Sequence, residues 1–89
     1  MSTGSEKQIT VRYFASLREA LGQGNESITS RAATLGDLRQ ELVARGDAYA
    51  EVLAPDKVVR MALNQDMADE SEALPDGAEV AFFPPVTGG

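Results

Sequence analysis

A stripe of leucines in the middle of this 89-residue chain constrains its fold more than any other feature. Leu35, Leu38 and Leu42 recur at helical spacing, which places them on one face of a single helix. Thr34 stands just before the stripe, where its hydroxyl can accept a hydrogen bond from a free backbone N–H group. Gly46 follows, where a left-handed C-terminal cap is expected. We therefore predict one well-capped helix whose leucines belong to the core, with these polar residues facing solvent: Asp37, Arg39, Gln40 and Glu41.

Stretches of alternating apolar and polar residues on both sides of the helix predict β-strands. The predicted strands are residues 8–14, 26–29, 58–63 and 79–83, with a possible short strand at 67–68 and helical turns at 15–21 and 49–53. In the first strand, Ile9, Val11 and Tyr13 share the apolar face. Phe14 falls on the polar side, so it either turns inward at the strand end or forms an exposed apolar contact. This order of elements indicates an α+β domain in which one sheet packs on one main helix.

The composition excludes several classes of chemistry. The chain has no cysteine and no histidine, so it has no disulfide, no thiol nucleophile, no Cys/His zinc site and no Ser-His dyad. A net charge of −6 argues against nucleic acid or an anionic membrane as a partner and favours a partner with a basic surface. The acidic residues between 66 and 72 lack the spacing of a calcium loop, so no metal site is predicted. No apolar run is long enough to span a membrane and the first residues do not resemble a signal peptide, so we expect a cytoplasmic protein.

The C-terminal residues combine a stiff segment with two glycines. Pro84 and Pro85 lack backbone N–H groups, so the last strand must end at Phe83. The tail can extend about 20 Å beyond the fold, since extended residues span about 3.1–3.5 Å each. Because Gly88 and Gly89 have no side chains, we predict that the Gly89 carboxylate enters another protein's active site and is activated there as an acyl group. The chain is then divided into a disordered arm at 1–6, a folded domain at 7–83 and a flexible functional tail at 84–89.

The segment from Glu79 to Gly89 closely resembles the C-terminus of the sulfur-carrier (small) subunits of molybdopterin synthase. Its sequence, Glu-Val-Ala-Phe-Phe-Pro-Pro-Val-Thr-Gly-Gly, is highly specific. Weaker matches at residues 11–15, 17–19, 38–39, 62–65 and 76–77 extend the similarity over nearly the whole chain from Lys7 onward, although the residues before Lys7 depart from the family's usual start. The resemblance implies the ubiquitin-like β-grasp fold, a mixed sheet of four to five strands with the first and last strands paired at its centre.

The resemblance also implies a sulfur-carrier cycle with three protein partners. An adenylyltransferase similar to ubiquitin-activating enzymes would use ATP and Mg²⁺ to convert Gly89 to an acyl-adenylate, and a sulfur donor protein would then leave a thiocarboxylate. The large subunit of the synthase would receive the tail and direct its sulfur to cyclic pyranopterin monophosphate, in a heterotetramer of two small and two large subunits. The chain would bind no cofactor itself and would not be an enzyme on its own.

The same resemblance assigns residues to partner binding. Phe14, Met67 and Phe83 match family positions that form an exposed apolar patch on the sheet. The alternation of side chains along each predicted strand independently places Phe14 and Phe83 away from the core. Arg18 also matches a family position, and the alternative for it is a solvated arginine at a helix end. The tail residues that would accompany the two glycines into the partner are Pro84, Pro85, Val86 and Thr87.

Two other functions remain open from the residues alone. A thiamine-pathway sulfur carrier shares the fold, the Gly-Gly end and the activation chemistry, but such carriers are usually shorter and lack the Phe-Phe-Pro-Pro-Val-Thr segment. A ubiquitin-like modifier would instead join Gly89 to lysines of target proteins through isopeptide bonds. A plain interaction module would not need a free diglycine end.

Overall fold

The computed structural model describes residues 6–84 and shows a five-stranded sheet with helices on one face. The elements are β1 (Lys7–Tyr13), α1 (Ala15–Leu21), β2 (Asn25–Ser30), α2 (Leu35–Val43), α3 (Asp47–Val52), β3 (Arg60–Leu63), β4 (Asp66–Ala68) and β5 (Glu79–Phe83). The strand order is β2-β1-β5-β3-β4, with β1 and β5 parallel at the centre and the other pairs antiparallel. The predicted mixed sheet with adjacent first and last strands is therefore confirmed.

The core lies between the sheet and the helices, as the apolar patterns predict. The inward residues of the two central strands are at most 1% exposed, and they are Ile9, Val11, Tyr13, Val80 and Phe82. The leucine stripe of α2 is buried against them to the same degree. Thr34 caps α2 as predicted, because its hydroxyl oxygen accepts a hydrogen bond from the backbone N–H of Asp37 at 3.2 Å. Within the described residues, no helix is long and apolar enough to cross a membrane.

The prediction that Arg39 faces solvent is wrong. The residue is 5% exposed, and its side chain lies under the loop that connects α3 to β3. The guanidinium donates to three backbone carbonyl oxygens at 2.6–2.8 Å, those of Leu53, Ala54 and Lys57. It also donates to the Glu70 carboxylate at 2.6 Å. The leucine periodicity could not reveal this burial, because the acceptors are backbone atoms of a distant segment.

Several predicted boundaries also differ from the structure by one or two residues. The third strand begins at Arg60 rather than residue 58, because its pairing with β5 begins where Arg60 lies opposite Phe83, the last residue of β5. Gly46 has a positive φ of 79° as a cap glycine would, but its ψ is −165°. The helix already ends at Val43, and Gly46 serves as the N-terminal flanking residue of α3.

A cluster of polar side chains joins three elements at one end of the core. The Glu26 carboxylate accepts hydrogen bonds from the hydroxyl groups of Tyr13 at 2.7 Å and Tyr49 at 2.8 Å, and from Arg45 at 3.0 Å. Burial by itself raises the pKa of the Glu26 carboxyl, but these three donors outweigh burial and hold that pKa below its usual value. Burial and the neighbouring carboxylate raise the pKa of the Tyr13 hydroxyl.

Candidate functional site

The sheet face opposite the helices carries a shallow apolar depression of about 370 Å³. Strand pairing places one row of side chains across this outer face, consisting of Arg12, Ala81, Ala62 and Met67. The two alanines at the centre of the row have short side chains, so they form the floor of the depression. Longer side chains on either side then form its walls.

Phe14 forms one wall together with Phe83. The backbone N–H of Phe14 donates to the carbonyl of Phe82 at 3.1 Å, which continues the β1–β5 pairing one residue past β1. Ala15 then has a positive φ of 52°, and the chain turns there into α1 while the Phe14 side chain stays on the outer face. Phe14 is 40% exposed, and the centroid of its ring lies 6.1 Å from that of the Phe83 ring. Of the two positions predicted for Phe14, the structure therefore has the exposed apolar contact.

Met67 forms the opposite wall on the short strand β4. Asn64 and Gln65 form the tight turn that precedes it, with positive φ values of 50° and 75°. The turn brings Met67 opposite Ala62, and Met67 is 61% exposed. A second, adjoining depression of about 310 Å³ lies between Met67, Phe83, Pro84 and Arg60. Phe14, Met67 and Phe83 therefore form one apolar patch, and Pro84 borders it where the tail begins.

Two arginines border this patch. The Arg12 guanidinium pairs with the Glu79 carboxylate at 3.4 Å, and its central carbon lies 5.6 Å from the centroid of the Phe14 ring. Arg60 lies opposite Phe83 on β3 and is exposed. Sequence reasoning did not assign Arg12, Arg60, Ala62 or Ala81 to the site. The strand alternation would have identified them, because each shares the outer face with Phe83.

The remaining predicted site residues are Arg18 and the tail residues from 85 to 89. Arg18 is exposed on α1, where its side chain lies beside Gly24, and it borders neither depression. Pro85, Val86, Thr87, Gly88 and Gly89 lie outside the described residues, so their roles stay predictions. The predicted arm at 1–6 lies outside the description except for Glu6, whose carboxylate pairs with Arg31 at 3.2 Å.

The acidic stretch at residues 66–72 does not gather into a ligand set. Glu70 pairs with Arg39. The Asp69 carboxylate accepts hydrogen bonds from the Ser71 hydroxyl and backbone N–H, and these donors lower its pKa. Among residues 6–84, no three acidic side chains converge as metal ligands would.

Residues 11–89 match the ThiS family, a match that reaches the last residue of the chain. The molybdopterin synthase sulfur carrier subunit of Escherichia coli is 41% identical over 81 residues, which cover 91% of this chain and 99% of that protein. A small archaeal modifier protein 3 from Haloferax volcanii is 36% identical over 93 aligned positions, covering 92% of this chain and 99% of that protein. The chain thus spans the full length of both types of relative.

Solved structures share the fold over the same extent. A Haloferax volcanii protein solved in solution superposes with a TM-score of 0.80 at 32% identity, covering 100% of this chain and 92% of that one. In the protein–protein complex of subunits 1 and 2 of the molybdopterin-converting factor from Helicobacter pylori, one chain superposes with a TM-score of 0.62 at 30% identity, covering 92% of this chain and 99% of that one. The sheet order and these superpositions confirm the ubiquitin-like β-grasp fold. Because the family match covers residues 11–89 and the relatives align over their whole length, this chain belongs to the ThiS family.

Proposed function

We propose that this chain is the sulfur-carrier (small) subunit of a molybdopterin synthase and acts in molybdenum cofactor biosynthesis. The observation that carries the proposal is the exposed apolar patch of Phe14, Met67 and Phe83, which borders Pro84 at the root of the tail. The relative that is 41% identical bears this function in its name, and the Helicobacter pylori neighbour was solved as a complex of two subunits. A partner that covers the patch would receive the tail directly beside it.

The proposed reaction activates the Gly89 carboxylate in two steps. An adenylyltransferase joins the carboxylate oxygen to the α-phosphate of ATP with Mg²⁺ and releases pyrophosphate, which makes AMP the leaving group. A sulfur donor protein then supplies sulfur at the acyl carbon, AMP departs, and Gly89 ends in a thiocarboxylate. The large subunit binds the loaded tail, and the thiocarboxylate sulfur replaces an oxygen substituent on a carbon of cyclic pyranopterin monophosphate. Water then cleaves the bond between this sulfur and the acyl carbon, which leaves the sulfur on the pterin and returns Gly89 to a carboxylate. The dithiolene needs two sulfurs, so each product uses two loaded carriers, consistent with a heterotetramer of two small and two large subunits.

The folded domain contributes binding rather than catalysis in this proposal. Ordering the tail in a partner costs about 1–2 kcal/mol for each residue. Burial of the exposed Phe14 and Met67 side chains beneath the partner offsets this cost. The chain has no cysteine and no histidine, so the activating and sulfur-donating chemistry is assigned to its partners. We place these partners in the cytoplasm.

Protein modification is a second candidate, favoured by the 36% identity to a small archaeal modifier protein. In that case the activated Gly89 would form isopeptide bonds with lysine side chains of other proteins. Recovery of Gly89 linked to many different proteins would favour modification. Recovery of the free chain with one large-subunit partner would favour sulfur transfer.

The test of the proposed function is reconstitution with the adenylyltransferase, ATP, Mg²⁺ and the sulfur donor, followed by intact mass measurement. We expect one oxygen to be exchanged for sulfur, and the loaded chain to support dithiolene formation with the large subunit. Deletion of Gly89, or addition of one residue after it, should abolish both results and leave the melting temperature unchanged. Deletion of Ser2 is the matched control at the other end and should retain full transfer. Undiminished sulfur transfer by the chain that lacks Gly89 would refute the proposal.

A further inference from the structure

We infer that the partner surface that covers the apolar patch presents two carboxylates, one to Arg12 and one to Arg60. The inference rests on the proposed function, in which the large subunit covers this face. It goes further by stating the chemistry of the opposing surface. The two arginines then orient the partner, whereas the apolar residues only attract it.

The positions of the two arginines define a diagonal across the patch. Arg12 stands at one end of the row that contains Ala81, and Arg60 stands opposite Phe83 in the neighbouring row. Two strand spacings of about 5 Å and a two-residue step of about 7 Å place their Cα atoms roughly 12 Å apart. Ala81 and Phe83 on β5 lie between them, while Phe14 and Met67 lie at the other two corners of the patch. Two fixed charges on a diagonal determine one orientation of a partner, because apolar contacts by themselves are non-directional.

The two depressions differ in charge from the chain as a whole. The chain carries a net charge of −6. Of the described residues that line the two depressions, only Arg12, Arg60 and Glu79 are charged, which gives a local net charge of +1. Asp69, Glu70 and Glu72 line a third depression that Arg60 and Met67 also border, so the weakly cationic area is confined to the apolar patch itself. The negative charge of the whole chain would attract a basic partner at long range. At the contact itself, the two arginines would bind carboxylates of that partner.

Neither guanidinium is fully satisfied by the described residues. The Arg12 guanidinium nitrogen lies 3.4 Å from the Glu79 carboxylate oxygen, and the two side chains are 46% and 31% exposed, respectively. The ion pair is therefore a weak surface pair. No described residue accepts a hydrogen bond from the Arg60 guanidinium. A purely apolar partner would strip water from both groups without replacing the lost hydrogen bonds, which is strongly unfavourable. A carboxylate can instead accept two parallel N–H bonds from each guanidinium.

The test measures the dissociation constant of the large subunit for the full chain and for the double variant Arg12→Gln/Arg60→Gln. At about 50 mM salt, where charges are poorly screened, we expect the double variant to bind about tenfold more weakly. At about 500 mM salt the difference should shrink to about twofold, because screening removes the advantage of the native arginines. The variant Arg12→Lys/Arg60→Lys keeps the charges and should retain most of the salt dependence. Arg31→Gln, an exposed arginine paired with Glu6, should bind like the native chain.

The outcomes separate this inference from the proposed function. Equal affinity and equal salt dependence of the native chain and the glutamine double variant would overturn the inference and leave sulfur transfer standing. A native chain that does not bind the large subunit at any salt concentration would overturn both. All variants should keep the native melting temperature, because both arginines are exposed.

Discussion

Arg39 is a single residue on which the packing of a whole loop depends. Its buried guanidinium satisfies three carbonyl groups between residues 53 and 57 and pairs with Glu70, so it links α2 to two segments that are far apart in sequence. Carbonyl groups removed from water without donors are costly, and here one side chain supplies donors to the buried carbonyl of Leu53 and the partly buried ones of Ala54 and Lys57. The sequence could place Arg39 on α2 but not in the interior, because its position in the polar part of the helix pattern is that of a solvated residue.

Replacement of Arg39 by methionine should lower the free energy of unfolding by about 3 kcal/mol or more. Methionine has a similar length but cannot donate hydrogen bonds, so the loop carbonyls and Glu70 lose their partner. Arg31→Met is the matched control, because Arg31 is exposed and forms only a surface pair, and its effect should stay within about 0.5 kcal/mol. Denaturant unfolding of both variants measures the difference. Similar stability of the two variants would show that water or the relaxed loop replaces the Arg39 contacts.

At the scale of elements, the sequence predicts which segments form strands and helices better than it predicts their ends. The core sides of β1 and β5 and the capped α2 follow from local periodicity, which is a property of the residues themselves. The start of β3 depends instead on its register with β5, where Arg60 falls opposite Phe83, the last residue of β5. The apolar patch likewise depends partly on local periodicity and partly on the register between strands. Parity places Phe14 and Phe83 outside the core, but only the pairing of β3 with β4 brings Met67 across from Ala62.

The Glu26 cluster is a contact between elements, since it joins β1, β2 and α3 with Arg45. Its contribution to stability depends on pH because the Glu26 carboxyl is ionisable. The pKa of the Glu26 carboxyl is lowered from 4.5 in the fold, so its charged form stabilises the folded state above that value. This contribution is lost as the pH falls through the lowered pKa. Glu26→Gln should reduce the free energy of unfolding by about 1–2 kcal/mol at neutral pH, since the charged acceptor of three hydrogen bonds is removed.

The difference between native protein and Glu26→Gln should then shrink as the pH is lowered from 4.5 through the lowered pKa of Glu26, because the native carboxyl becomes protonated as well. Urea unfolding of both proteins across this range measures it. Glu51→Gln changes an exposed carboxylate of α3 and should alter the free energy of unfolding by no more than about 0.5 kcal/mol. A Glu26→Gln effect that is constant with pH would show that the loss comes from packing and not from the ionised group.

At the scale of the whole molecule, the sheet divides two tasks between its two faces. The inner face packs on the helices and supplies stability, whereas the outer face leaves Phe14, Met67 and Phe83 accessible around two alanines. Adjacent residues of β5 alternate between these faces, so Phe82 is fully buried while Phe83 is half-buried beside Pro84. One strand therefore holds the core together and also forms the root of the tail.

This division predicts different outcomes for the same substitution at neighbouring positions. Phe83→Ala should weaken binding of the large subunit about tenfold or more, because the ring lies at the centre of the proposed contact, and should lower stability by only about 1 kcal/mol. Phe82→Ala, the matched control, removes a buried ring from the core and should lower the free energy of unfolding by about 3–5 kcal/mol. Calorimetric titration with the large subunit and thermal unfolding measure the two quantities. If Phe83→Ala unfolded as readily as Phe82→Ala and bound the large subunit with native affinity, the outer face would serve stability, and docking would have to occur elsewhere on the molecule.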